Sequence, residues 1–255
     1  MSQELLIYVH LGILYIVDAD DTVIELVGLM FDKDLSEDRV LFSSCYTQLN
    51  TDIKCLDIDD ENYDIICKYI ENTHGPTHNF KVIPKNIFSV YRKGEYWSYK
   101  PNKAIGNRKL LWHGLLTEPP ANVNINGKMF GNGVYFTDVV TKAAQYSKNN
   151  IFSTEGILIL AEVALGKHYY KTKSEKVEKL PEGKNSVKGL GKYKPKRTEI
   201  IRNKYGTQIP LGPLECHNDL STDLNYSEYI VFDNNQIFMQ YLVHCKFDGM
   251  GCEII

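Results

Sequence analysis

MFGNGVYF, residues 129–136, places two glycines one residue apart between a Met-Phe pair and a Val-Tyr-Phe strand. Glycine adopts backbone angles that other residues avoid, and without a Cβ it lets another group approach the chain closely. Gly131 and Gly133 therefore either turn the chain or leave its backbone open to something lying against it. Directly downstream, TDVVTKAAQYSKN (137–149) offers Asp138 as a helix cap and spaces Val139, Ala143 and Tyr146 at i, i+4 and i+7. A strand running into a short helix is expected, with the Tyr146 ring projecting where Ala143 leaves room. A dinucleotide-binding turn is excluded, because a third glycine is missing and the glycines lead into a strand rather than a helix.

Outward from this point the chain reads as strands. FKVIPKNIFSVYRKG (80–94), RKLLWHG (108–114), GILILAEVALGKHYY (156–170), SEYIVFD (227–233) and IFMQYLVHCKF (237–247) are rich in β-branched and aromatic residues and bounded by Gly, Pro, Asn or Asp. No regular strand-helix alternation appears, which argues for an α+β fold with mainly antiparallel sheets. Two further helices are expected upstream. ADDTVIELVGLMF (19–31) has Asp20 or Asp21 as a cap and Val23, Val27 and Met30 at helical spacing; DENYDIICKYIENTH (60–74) spaces Ile66, Tyr69 and Ile70 and meets Gly75-Pro76.

The 255 residues are 43% hydrophobic and 24% charged, enough for a full core. A net charge of −3 is not the strongly basic balance of a nucleic-acid-binding domain, so contact with DNA is not expected beyond a local basic loop. The six cysteines form no C-x-x-C and read as reduced thiols of an intracellular protein. The apolar run LLIYVHLGILYIV (5–17) is too short for a membrane span and lacks a basic flank, so it is expected in the core. His74 and His78 have finger-like spacing without cysteines upstream, which favours packing or capping over zinc. No metal site is expected.

RKLLWHG ends a strand on an imidazole and a glycine, His113 and Gly114, at a sheet edge. Taken alone, such a histidine is more often structural. Its neighbours change that reading. LLWHG (110–114), MFGNGVYFTDVVTKAAQYS (129–147), EVALG (162–166), LPEGKNSVKGLGK (180–192), PLG (210–212) and NYSEYIVFD (225–233) resemble, in order and approximate spacing, the catalytic domain of the poly(ADP-ribose) polymerases, above all their DNA-damage-responsive branch. TDIK (51–54), KYIENTHGPTHN (68–79) and RKGEYWSYKP (92–101) extend the likeness, which covers residues 45–248.

The resemblance implies an ADP-ribosyltransferase fold of two packed, mainly antiparallel sheets flanked by helices. It also implies NAD⁺ as a substrate, release of nicotinamide, and protein acceptors of ADP-ribose. Its matching positions imply that Gly114 offers backbone groups to the carboxamide, that His113 holds a ribose hydroxyl, and that Tyr146 and Tyr135 enclose the nicotinamide ring, with Phe136 and Ala143 in the same binding set. The glycines of MFGNGVYF would carry the chain past the nicotinamide end. Glu228 would contact the nicotinamide ribose and is the expected key catalytic residue, with Lys142 beside it toward acceptor or phosphate. A lone acid within Tyr-Ile-Val-Phe needs such a reason.

Three departures qualify the likeness. Ala143 stands where the family usually carries a serine, which weakens the expected hold on nicotinamide and nicotinamide-like inhibitors. LLTEPPANVNINGK (115–128) is shorter than the family's donor loop. Residues 1–45 hold at most a remnant of the helical regulatory subdomain, with the catalytic domain expected over 46–255, so activity independent of DNA is expected. The segment 180–212 is expected to be an acceptor loop made basic by Lys188, Lys192, Lys194, Lys196, Arg197, Arg202 and Lys204. The branch implies a nuclear setting. The competing readings are a weak or inactive module that binds NAD⁺ or ADP-ribose, and a mono-ADP-ribosyltransferase.

Overall fold

The computed structural model describes residues 21–31, 33–115, 128–147 and 154–249. The apolar run 5–17, the candidate cap Asp20 and nearly all of the donor segment 115–128 lie outside them. Among the described residues five α-helices alternate irregularly with fourteen strands. α1 (Asp21–Phe31) and α3 (Glu61–Asn72) arise where helical spacing placed them. Asp60 caps α3 by accepting from the Asn62 N–H, and the helix ends at Thr73, before Gly75. α2 (Arg39–Leu49) was not expected; Asp38 caps it through the Leu41 N–H, and it buries Phe42, Cys45 and Leu49 on one face. The expected boundary at residue 45 therefore falls inside a helix. Asn50 ends that helix at φ 48°, a left-handed setting that Asn tolerates better than most residues.

β1 (Thr51–Cys55), β2 (Lys81–Arg92), β3 (Arg108–Leu115), β4 (Val134–Thr137), β5 (Glu155–Ala164), β6 (His168–Lys171), β7 (Ser186–Gly189), β13 (Glu228–Val231) and β14 (Ile237–Asp248) form one sheet in the order β1-β2-β14-β5-β3-β4-β13-β7-β6. Two short strands, β9 (Ile201–Arg202) and β10 (Gln208–Ile209), join it beside β3. A second sheet holds β11 (Leu214–Cys216), β8 (Gly191–Pro195) and β12 (Leu224–Tyr226). Pairing is antiparallel except at β3–β10, β6–β7 and β8–β12. The expected mainly antiparallel α+β fold is thus realised in two unequal sheets. The segment expected as an acceptor loop forms the short strands β7 to β10.

The long central strands carry apolar residues on both faces because both are covered. On one side Phe88, Val90, Ile157 and Leu242 pack against α1 and α2. On the other Ile87, Leu158, Leu160 and Val243 pack against Ile66, Tyr69 and Ile70 of α3 and against α5 (Val140–Ala144). On β5, across from the start of β3, one acid ties several elements together. Glu162, 1% exposed, accepts from Arg108 Nη1 at 2.8 Å, the Tyr99 hydroxyl at 2.5 Å, the Thr207 hydroxyl, and Gln240 Nε2 at 3.2 Å. Burial works against its charge, but these donors outweigh it and hold the carboxyl below the usual glutamate range.

Candidate active site

The two glycines of MFGNGVYF do different jobs. Gly131 turns the chain at φ 98°, and a Cβ there would lie 2.5 Å from the Val177 carbonyl oxygen. At Gly133 a Cβ would lie 2.4 Å from Ile230 Cγ2 and 2.7 Å from the Val231 carbonyl oxygen. What lies against both is protein: the second glycine lets β4 close on β13, where Val134 to Thr137 pair with Val231 to Glu228. That pairing sets Glu228 directly opposite Thr137, with Gly189 of β7 on its other side. Gly114 is the third close approach. A Cβ there would meet the Ala143 carbonyl oxygen at 2.3 Å and the Tyr146 backbone at 2.9 Å, so the end of β3 and the end of α5 touch only through glycine.

α5 is shorter than expected. Val139 precedes it without a side-chain cap, and Asp138 turns inward to accept from the Tyr229 hydroxyl at 2.8 Å. Thr137 does the local work instead, accepting from the Val139 N–H and donating to the Ser227 carbonyl. The helix ends at Ala144, leaving Tyr146 just beyond it and 42% exposed.

The side chains that gather here are Glu228, Lys142, Tyr146 and Tyr135. Glu228 is 7% exposed, and Lys142 Nζ stands 3.3 Å from its Oε1. The same ammonium donates to the Tyr146 hydroxyl at 3.2 Å and lies 5.0 Å from the centre of that ring. Burial acts against the lysine's charge, yet Glu228 and Tyr146 outweigh it and raise its pKa. Lys142 is therefore a fixed cation at physiological pH. The Tyr135 hydroxyl accepts from the Phe130 N–H and donates to the Gly131 carbonyl, each at 2.9 Å, which anchors the ring against the turn that precedes it. Burial, with the nearby Glu228 and Tyr146, pushes its pKa to about 12 against the opposing Phe130 hydrogen bond, so it stays neutral.

His113 joins the group through the backbone. Its Nδ1–H donates to the Tyr135 carbonyl at 2.7 Å, which places the proton of the neutral ring on Nδ1. Phe136 lies beneath it at 5.5 Å between ring centres, 3% exposed and packed with Leu111 and Tyr229; Ala143 is likewise buried at 3%. Of the expected site residues these two support the cluster from inside the core. His74 and His78 take up the packing role: His74 Nε2 bonds the Phe80 carbonyl, and His78 Nδ1 bonds the Thr141 hydroxyl while stacking on Tyr226 at 5.0 Å. This links α5 to the strand leading into Glu228. Tyr226 was not singled out from the sequence, although its place two residues before Glu228, on the same side of an extended chain, was a usable signal.

Removing the Tyr135 hydroxyl tests how much this turn depends on it. Tyr135→Phe leaves the buried Phe130 N–H without its acceptor and is expected to cost about 1–3 kcal/mol, read as a lower urea midpoint at unchanged slope. An unchanged midpoint would show that the turn holds itself.

A buried carboxylate paired with a lysine, near a neutral tyrosine and a backbone-anchored histidine, forms a polar cluster at the junction of β3, β4, α5 and β13. Comparison with known proteins agrees. Residues 60–247 match the poly(ADP-ribose) polymerase catalytic domain, and the chain belongs to that family. It is 40% identical over 219 residues to poly [ADP-ribose] polymerase 1 of Xenopus laevis, covering 81% of this chain and 22% of the relative. It is also 41% identical over 223 residues to that of Gallus gallus (80% and 21%) and 35% identical over 243 residues to the poly [ADP-ribose] polymerase of Sarcophaga peregrina (89% and 24%). The chain thus spans between a fifth and a quarter of the length of these relatives.

Proposed function

We propose that this chain is an NAD⁺-dependent ADP-ribosyltransferase that releases nicotinamide, transfers ADP-ribose to protein acceptors and elongates the product. The observation that carries the reading is Glu228, buried yet held at the cleft by Lys142. NAD⁺ supplies the electrophile: the bond from ribose C1′ to the nicotinamide nitrogen breaks, nicotinamide leaves with the electron pair, and C1′ bonds the acceptor nucleophile, whose proton is lost. A carboxylate beside C1′ stabilises the oxocarbenium-like transition state and orients the nucleophile. Tyr135 and Tyr146 frame the ring slot, Gly114 and the neighbouring Ala143 set its floor, and His113 completes the binding set with Phe136 packed behind it in the core. His113 works by positioning. Lys142 draws the carboxylate into place and offers charge to an acceptor.

The test is incubation with labelled NAD⁺ and separation of products on a denaturing gel. A high-mass smear supports elongation, and a discrete band means single-unit transfer. NAD⁺ left untouched would favour the second reading, a module that binds without turnover, for which Ala143 is the motivating residue. Restoring the hydroxyl there is a separate check: Ala143→Ser is expected to tighten a nicotinamide-like competitor about fivefold, about 1 kcal/mol, and unchanged affinity overturns it.

The N-terminal helices support activity without DNA. Among the described residues α1 and α2 pack on the face of β1, β2, β14 and β5 and stay outside the Glu228 cluster, so these two helices are assigned to a flanking role. Nicked DNA is expected to leave the turnover of this chain unchanged; strong stimulation would refute the assignment. An intracellular, nuclear setting follows from the same reading. Among the described residues no helix is long and apolar enough to cross a membrane.

A further inference from the structure

Tyr229 follows Glu228, and successive residues of a strand face opposite sides. Behind the catalytic carboxylate, on the reverse of β13, two rows of side chains converge. In the first, Gln208 of β10 is the register partner of both Lys109 in β3 and Arg202 in β9, which sets the three side by side, and Lys109 Nζ donates to Gln208 Oε1 at 2.5 Å. In the second, Lys188 of β7 stands in register between Tyr170 of β6 and Tyr229; its Nζ donates to the Tyr229 hydroxyl at 2.8 Å and lies 4.5 Å from that ring centre.

The rows feel one another. Burial first, and then Lys188, Arg202 and Arg197, against the opposing Asp138, bring the Lys109 pKa down to about 8. Lys188 is lowered by burial and by Arg197 and Lys194. Among the described residues none of Lys109, Lys188, Lys194, Arg197 and Arg202 forms an ion pair. The acid that faces both lysines is Asp138, fully enclosed, with its carboxyl raised by burial and its Oδ1 without a hydrogen-bond partner. Glu215 stands in register beside Lys194 and Glu199 shares a turn with Arg197, but the acid that acts on Lys109 and Lys188 is the enclosed Asp138, outnumbered there by the cations around it. Partly desolvated lysines that repel one another are costly, and an incoming anion relieves that cost. Tyr170, 57% exposed beside Lys188, adds an open aromatic face.

We propose that this cluster binds the phosphates of a phosphate-linked nucleotide chain on the reverse face of the catalytic strand, with Tyr170 as the stacking surface for a base. Alternating cations and exposed aromatic rings are the elements of single-strand recognition. The site is separate from the Glu228 cleft, so its occupancy does not depend on turnover.

Fluorescence anisotropy without NAD⁺ tests it, using the full chain with labelled single-stranded oligoadenylate and, separately, purified poly(ADP-ribose). Saturable binding is expected at low salt. The exposed pair Arg197→Gln/Arg202→Gln should weaken it about tenfold or more and flatten the dependence of log affinity on log salt by between about 1 and 2. Tyr170→Ala should weaken it about tenfold while leaving that dependence unchanged. Preference for one probe identifies the source of the chain, the transferase product or a nucleic acid. Absence of saturable binding to both probes, or a double variant that binds as wild type does, overturns the proposal.

Discussion

Glu228→Gln is expected to cut nicotinamide release from NAD⁺ by about 10²–10³-fold, the scale of losing one preorganised group that stabilises transition-state charge. The substitution keeps the shape of the side chain in a site 7% exposed, so the fold should survive. It removes the negative charge, and with it the ion pair that Lys142 makes at 3.3 Å. The lysine then keeps its burial and loses the main group that raised its pKa. In the proposed mechanism the loss falls on kcat more than on KM, because a carboxylate beside the ribose would act where charge develops. Steady-state release of labelled nicotinamide decides the matter. Turnover within a few-fold of wild type would remove Glu228 from the catalytic role and with it the proposed mechanism.

The largest expected effect on stability lies elsewhere, at Glu162. Glu162→Ala takes the acceptor from Arg108, Tyr99, Thr207 and Gln240 together, leaving a guanidinium, itself only 18% exposed, without its carboxylate and with only neutral acceptors, the Tyr205 carbonyl and the Thr207 hydroxyl. Breaking one side of a buried pair in this way is expected to cost about 3–5 kcal/mol, enough to unfold a marginal domain. The effect should depend on pH with a definite sign. Because the folded-state pKa is lowered, the contribution of Glu162 is fully present above the unfolded glutamate value of about 4.3 and is lost as pH falls through the folded value. Denaturant midpoints of wild type and variant should therefore differ most near neutrality and converge in acid. A difference that persists unchanged into strong acid would show that packing, not charge, is what the residue supplies.

Much of the architecture was legible from local pattern. β2, β3, β4, β13 and β14 fall on the stretches read as strands, and α1 and α3 on the stretches read as helices, because apolar periodicity and caps act over a few residues. GILILAEVALGKHYY divides into β5 and β6 at Gly166, whose φ of 53° breaks the run. α2 was missed, although Asp38 and the spacing of Phe42, Cys45 and Leu49 are visible; the short β7 to β10 were missed because two- to five-residue strands have too little pattern to stand out. Asp138 was read as a cap from its place before α5. Tertiary structure offered it a better partner in the Tyr229 hydroxyl, and Thr137 took over the local role.

By itself the sequence determined the class of fold and the order of its central strands along the chain, since each is carried by a short stretch whose residues act on their immediate neighbours; the candidate site residues came from the family resemblance of those stretches. Only the tertiary structure decided how they meet. Lys142 pairs with Glu228 because β4 lies against β13 in one register, and that register depends on a glycine at 133 leaving no side chain between them. The basic cluster behind Tyr229 exists because β7 brings Lys188, and β9, joined through β10, brings Arg202, to Lys109 from separate segments. Pairing of distant strands, and the burial that changes what a charge costs, are properties of the packed chain.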